Sequence, residues 1–356
     1  MNKKRITWIE LLRIVACIGV IGIHVASQHF RDMPLDSGVW RVSNFYHGIN
    51  RFAVSVFVMI SGTLYLDSKR KWSLKKLWTK NIFQLVVVYV FWQIFYAVYR
   101  IVVAGKPAIG SVEFFKKILI YCSESYFHLW YLPMLAGLLS VTPLLWEIVN
   151  CERGKKWEEY LILLFLFIKI IPYTVDAFSF PMKEYVMNIL NTVRPGLIIN
   201  YAGYFILGHY LSHYEISKKM EYIIYALGIG LISAGILLGQ YISPQRGTAL
   251  QDYYENFTLA VFFWGSTIFL FFKNHVSRIQ WTEKQERIIC KFGGYTFGIY
   301  LIHVFFRDIL YRAGVDSMMI GNTFIAIPMV MVCIFVLSCI AVILIRKIPV
   351  LGKWIM

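Results

Sequence analysis

Charged residues are scarce in this chain of 356 residues, at 16% against roughly 25% in an ordinary soluble domain. Apolar side chains take their place at 58%, with an aromatic share of 17%. That balance excludes a soluble globular protein and points to a polytopic membrane protein. Cysteine is sparse and scattered: Cys17, Cys122, Cys151, Cys290, Cys333 and Cys339 have no metal-ligand spacing. Only Cys122 falls in an expected outer loop, which excludes an outer disulfide within the chain. Internal repeats, low-complexity tracts and linkers to a soluble domain are absent, so one domain over 1–356 is expected. Phosphate-binding glycine loops, zinc-type histidine spacings and serine elbows are missing too, and no metal is expected.

What the chain has in abundance is long apolar runs. Ten are long enough to span a bilayer: 7–28, 45–66, 82–104, 127–149, 159–175, 196–213, 222–243, 256–272, 292–312 and 322–345. The fifth is the weakest, because Lys169 and Pro172 interrupt it. The N-terminal Lys3-Lys4-Arg5 before an apolar run resembles a signal peptide, but Glu10 and Arg13 inside the run argue for a retained first span. With the N-terminus inside, the inner segments carry 22 Lys and Arg, the outer segments 8 and the spans six. The expected fold is therefore an all-α polytopic membrane helix bundle of about ten transmembrane helices, both termini cytoplasmic. The formal charge of +16 is orientation charge facing anionic headgroups, and nucleic acid is not an expected partner.

Ionisable groups inside spans are costly and mark candidate functional sites. Arg13 and His24 stand eleven positions apart, which at about 100° per residue returns to nearly the same helix face. Their axial separation is about 16 Å, half the hydrocarbon thickness. Glu10 lies three residues before Arg13 and can pair with it, neutralising it or fixing it for bidentate contact with a phosphate. In apolar surroundings His24 is neutral, which suits a general base or nucleophile, or a structural hydrogen bond.

Further candidates follow along the chain. Arg51 opens the apolar part of the second span, either snorkelling to the outer headgroups or facing the interior, and Ser61 lies further along it. His128 begins the fourth span among interfacial aromatics. His303 and Arg307, spaced i, i+4 with Asp308 adjacent, form a polar stripe, unless Arg307 and Asp308 satisfy each other. His209 and Lys169 read as packed or snorkelling. The densest basic run, 69–80, includes Lys75, Lys76 and Lys80, and reads as a positive-inside anchor or as a surface for a phosphorylated donor.

Five motifs carry a family resemblance. Glu10-Leu-Leu-Arg13 with the ten residues to His24 resembles the acidic-x-x-Arg and Arg-x10-His signature of the acyltransferase-3 family of integral-membrane O-acyltransferases. Arg51 through Phe57-Val-Met-Ile-Ser61-Gly62 resembles that family's second-helix segment, and His128-Leu-Trp-Tyr-Leu132 its His-Leu-Trp-Phe-Leu element. Tyr204-Phe-Ile-Leu-Gly208 and Thr296-Phe-Gly-Ile-Tyr-Leu-Ile-His303 resemble its sixth-helix and late-helix patterns. One departure stands out: arginines common where the inner loop enters span three are here Lys75, Lys76 and Lys80, which supply charge without a planar fork.

The resemblance implies transfer of an acyl group, most often acetyl, from cytoplasmic acetyl-CoA to a hydroxyl of an extracytoplasmic or lipid-linked glycan. Acetyl-CoA is then a co-substrate, no cofactor stays bound, and the location is the cell membrane. His24 is implied as base or acyl carrier with Arg13 and Glu10. Arg13, Lys75, Lys76 and Lys80 are implied on the donor side. Arg51, Ser61, His128, His303 and Arg307 are implied on the acceptor side. The rival readings of the same polar line are a transporter of a glycan or lipid-linked sugar, and a scaffold or sensor.

Overall fold

The computed structural model describes residues 6–70, 72–179, 183, 187, 200–349, 352 and 355. Regular structure among them is helical, with no strand. This is the outcome lipid demands, because a helix satisfies its own backbone N–H and C=O groups where water is absent. The helices begin with α1 (Thr7–Ala26), α2 (Gly38–Ile49), α3 (Phe52–Tyr65) and α4 (Leu74–Ala104), the last with a π-helical turn at Leu77–Ile82. Next come α5 (Val112–Glu124), α6 (Tyr131–Asn150) and α7 (Gly154–Phe165). A second π turn, Leu166–Ile170, carries α7 on into Ile171–Asp176. The remainder are α8 (Asn200–His213), α9 (Lys218–Arg246), α10 (Leu259–Asn274), α11 (Glu283–Gly293), α12 (Thr296–Arg312) and α13 (Thr323–Arg346).

Seven stretches are long and apolar enough to cross a bilayer: α1, α2 with α3, α4, α6, α9, α10 with its flanking turns, and α13. The pair α11 and α12, bent by 54° at its break, makes an eighth. The count of ten expected from sequence is thus not reached on length and composition. The two missing stretches are helical where described, as α7 and α8. However, α7 carries Lys155, Lys156, Glu158 and Glu159 in its first turns, and α8 has 14 described residues. Positions 196–199 of the expected sixth span lie outside the described residues, as do Lys71 of the basic run and the N-terminal Lys3, Lys4 and Arg5.

The chain divides into two compact units, Met1–Asp67 with Ile148–Cys339, and Ser68–Glu147 with Ile340–Met356. In the first unit α1 is the hub. It touches α2, α3, α10, α11 and α12, and 61% of its spanning window is buried, the largest share of any span. Close crossing of α3 and α8 supports that hub. A Cβ at Gly62 would run into the Phe205 carbonyl, and one at Gly208 into the Met59 carbonyl. Backbones that touch gain the dispersion contact on which helix association in lipid depends.

The second unit is built on α4. Gln93 donates to Ser125 (2.6 Å) and accepts from the Tyr126 backbone N–H (2.9 Å), tying α4 to the chain after α5. Buried Trp92 donates its indole N–H to the Ile355 carbonyl (3.1 Å).

Candidate active site

One polar seam runs along α1. The helix lies beside the bent pair α11 and α12 in the same direction, at a constant offset of 279 residues: Thr7 Oγ1 donates to Glu286 (3.3 Å) and Cys17 Sγ to the Thr296 carbonyl (3.8 Å). The same offset sets His24 against His303, ring centroids 5.2 Å apart and tilted by 34°. Two parallel helices in fixed register therefore bring together residues that are remote in sequence.

At the inner end Glu10 is buried, 4% exposed, and accepts from Arg13 Nη1 at 3.1 and 3.4 Å. A Cβ at Gly293 would run into the Glu10 side chain, so glycine there lets α11 lie close over this pair. The Arg13 side chain stays 27% exposed, and both bonds to Glu10 use Nη1. The rest of its planar fork is not spent on Glu10 and suits a phosphate.

At the centre, His303 is buried and its Nδ1 lies 2.7 Å from the Tyr300 carbonyl. A carbonyl only accepts, so Nδ1 carries the hydrogen and, in the neutral ring, Nε2 carries the lone pair. His24 is half-buried, and its own carbonyl accepts from Ser27 Oγ (3.1 Å).

At the outer end the seam opens into a cavity of about 340 Å³, lined by Ser27, Gln28, Arg307, Asp308, Tyr311 and Arg312. Arg307 forms bonds from Nε (2.9 Å) and Nη2 (2.5 Å) to Asp308 Oδ1, so the neighbouring pair does satisfy itself while lining the cavity. Beyond it, His29 Nε2 lies 3.1 Å from Asp316 Oδ2.

Arg51 makes its bonds elsewhere in the first unit. Arg51 does not snorkel. It is buried, donating to Glu255 (Nη2 to Oε1 3.1 Å, Nη1 to Oε2 3.3 Å) and to Gln251 (2.8 Å), with His47 Nε2 at 3.3 Å from Nη2. Such a guanidinium clasps the α2–α3 junction to the loop before α10. Ser61 Oγ donates within its own helix to the Phe57 carbonyl (3.0 Å). In the second unit, His128 is buried edge-on against Tyr96 (5.0 Å) and Tyr126 (5.5 Å), while Lys75, Lys76 and Lys80 are exposed.

Sequence reading passed over His47, Gln251, Glu255 and Gln28. Spacing offers a signal for two of them, since His47 precedes Arg51 by one turn and Gln28 follows His24 by one turn. Gln251 and Glu255 lie in a loop with no periodicity to mark them. His209, read as packed or snorkelling, in fact pairs with buried Glu158 at 2.9 Å, and Lys169 lies over the Phe257 ring at 4.5 Å. Among the described residues, no three His, Cys, Asp or Glu side chains gather as a metal site.

No curated protein and no solved structure matches this chain. A family model described as an acyltransferase domain matches residues 6–346. That match takes in the whole α1 seam and runs on to the end of α13, and by it the chain belongs to the acyltransferase-3 family, as a multi-pass membrane acyltransferase.

Proposed function

We propose that this membrane acyltransferase carries an acyl group, most simply acetyl, from cytoplasmic acyl-CoA to a hydroxyl of an extracytoplasmic or lipid-linked glycan in the cell membrane. The observation that supports this reading is the α1 seam: a half-open guanidinium at the inner end, a histidine pair at the centre and a polar cavity at the outer end. CoA is a long, narrow donor with phosphates at one end and a thioester at the other. Arg13 holds a phosphate oxygen at the inner side, oriented by Glu10. About 16 Å of helix separates it from His24, a distance for the pantetheine arm to cover.

His24 takes the proton from the acceptor hydroxyl as its oxygen attacks the thioester carbonyl. The new C–O bond forms, the C–S bond breaks, and the proton passes from the imidazolium to the CoA sulfur. Ester and free CoA thiol are the products. His303, its Nδ1–H fixed on the Tyr300 carbonyl, orients His24 and keeps the centre polar. Lys75, Lys76 and Lys80 belong to the inner-side positive charge, which favours anionic headgroups and anionic donors alike.

The test is transfer of label from [14C]acetyl-CoA to envelope glycan by protein reconstituted in liposomes. Wild type is expected to incorporate label and His24→Ala to lose it. Equal incorporation by both proteins would sink the assignment of His24.

A further inference from the structure

We infer that the outward side of α11 is a binding surface for an anionic phospholipid headgroup of the inner leaflet, and that its occupant braces the Glu10–Arg13 pair. The effect on donor binding rests on the acyl-transfer reading above; the lipid surface does not.

Placement comes from the inner end of α1. Thr7 donates to Glu286 (3.3 Å), and a Cβ at Gly293 would run into the Glu10 side chain, so α11 lies along the first turns of α1. Five of its eleven residues are charged, too many for a helix that crosses hydrocarbon. It meets α12 at a bend of 54°, and so runs off the line of that span instead of prolonging it.

Helix geometry then divides the surface of α11. Lys284 and Gly293 are nine positions apart, which at about 100° per residue puts them on opposite sides. Gly293 is buried against α1, so Lys284 faces outward. Arg287 and Lys291, three and seven positions further on, fall on the same side as Lys284, and all three cations are exposed. Ile288 lies about 40° round the helix from Lys284. It is 46% exposed, and Ile279, just before the helix, is 48% exposed. Cations beside exposed aliphatics on a short amphipathic helix suit a seat at a membrane surface.

Charge selects the occupant. Among the described residues, none of these three cations enters a side-chain hydrogen bond or an ion pair. Glu283 precedes Arg287 by four positions, a spacing that favours pairing, yet no bridge joins them. Arg287 and Lys291 are also four apart, and like charges at that spacing destabilise a helix. A phosphodiester lying among the three relieves the repulsion and leaves its acyl chains to pass beside Ile288 into the leaflet. CoA offers the same phosphate chemistry from solution, but brings no chains for Ile288 and Ile279. With α11 held this way, Glu286 and Gly293 stay against Thr7 and Glu10, and the carboxylate that orients Arg13 is held with them.

Two measurements on the full-length protein test the proposal. The first is native mass spectrometry in detergent with equal amounts of dioleoyl phosphatidylglycerol and dioleoyl phosphatidylcholine. Wild type is expected to retain phosphatidylglycerol several-fold over phosphatidylcholine. Lys284→Gln/Arg287→Gln/Lys291→Gln is expected to lose most of that preference, and Lys284→Arg/Lys291→Arg to keep it. Lys218→Gln/Lys219→Gln/Arg278→Gln, which removes three exposed inner cations elsewhere, is expected to keep it too. No preference in wild type, equal preference in every variant, or equal loss in both triple variants overturns the surface. Displacement of the lipid by added CoA makes α11 a donor site and overturns it as well. Arg287→Gln alone, expected to lose part of the preference, carries the same test should the triple variant fail to fold. The second measures [14C]acetyl transfer in phosphatidylcholine liposomes with and without phosphatidylglycerol. Wild type is expected to show a several-fold lower KM for acetyl-CoA when phosphatidylglycerol is present, and the α11 triple variant the same KM in both. A wild-type KM indifferent to the lipid overturns the bracing of Glu10–Arg13 and leaves the surface in place. A lipid preference that depends on α11, in a wild type that moves no label, overturns the acyl-transfer reading instead, and the bracing with it.

Discussion

His24 and Arg13 sit on one face of one helix, yet their expected contributions differ in kind. A proton transferred in the transition state contributes turnover, whereas a guanidinium that holds a distant phosphate contributes donor binding. Replacing His24 by alanine is expected to lower kcat by about 10²–10⁴, the range of general acid–base catalysis. Arg13→Lys keeps the charge but loses the planar fork. It is expected to raise the KM for acyl-CoA, on the order of tenfold, with a smaller change in kcat. Initial rates against acyl-CoA concentration separate the two outcomes, and a kcat loss without a KM change in Arg13→Lys would remove the arginine from the donor side. The alignment of Arg13 with His24 is legible from spacing alone, because it lies within one helix and follows from 3.6 residues per turn. His303 as the partner of His24 is not legible this way. Their meeting depends on which two helices lie parallel and in what register, and 279 residues separate them.

Paired helices bring in a second buried polar pair, away from the seam. Glu158 at the start of α7 and His209 near the end of α8 meet at 2.9 Å, with side chains 0% and 3% exposed. Tyr214 donates to the other oxygen of Glu158 (3.2 Å), and burial followed by that carboxylate pushes the phenol up to about 12, so it stays a donor. Breaking a buried pair from one side strands the other partner, at a cost of about 3–5 kcal/mol. Glu158→Ala and His209→Ala are each expected to lower the melting temperature clearly. The double variant should fall little further, because both changes remove the same interaction. Additive losses in thermal melts would show that the pair is not one unit. The α3–α8 crossing makes a related demand. Gly208→Leu places a side chain against the Met59 carbonyl, and overpacking of this sort costs about 1–3 kcal/mol or more. Destabilisation measured on the same melts, with Gly137→Leu as an open-space control, checks that expectation.

For the molecule as a whole, orientation is readable from loop charge, while the number of crossings is not readable from hydropathy. Seven stretches, or eight with the bent pair, pass on length and composition. The two in question, α7 and α8, are consecutive, so counting them or omitting them leaves every other span with the same direction. Charge sets α7 aside and described length sets α8 aside, yet Glu158 of α7 is buried against His209 of α8 inside the protein. Their ends supply the deciding geometry. The start of α7 and the end of α8 meet at Glu158, His209 and Tyr214, and the Tyr214 carbonyl accepts from Lys273 at the inner end of α10 (2.6 Å). Their opposite ends lie beside the outer loop: Arg246 donates to Ser179 (2.7 Å), Tyr204 to the Asn256 carbonyl (2.6 Å), and the Leu259 N–H to Thr174 (2.8 Å). The helical run 154–176 is about 35 Å long at 1.5 Å per residue, enough for a hydrocarbon core of roughly 30 Å. We therefore expect both to cross, giving ten spans. In a cysteine-free background, Ser179→Cys should react with a membrane-impermeant maleimide added outside intact cells, as Asp32→Cys does, while Lys219→Cys reacts only after lysis. A Ser179→Cys protein that behaves like the Lys219→Cys control would make α7 and α8 a hairpin entered from the inner side, and reduce the count to eight.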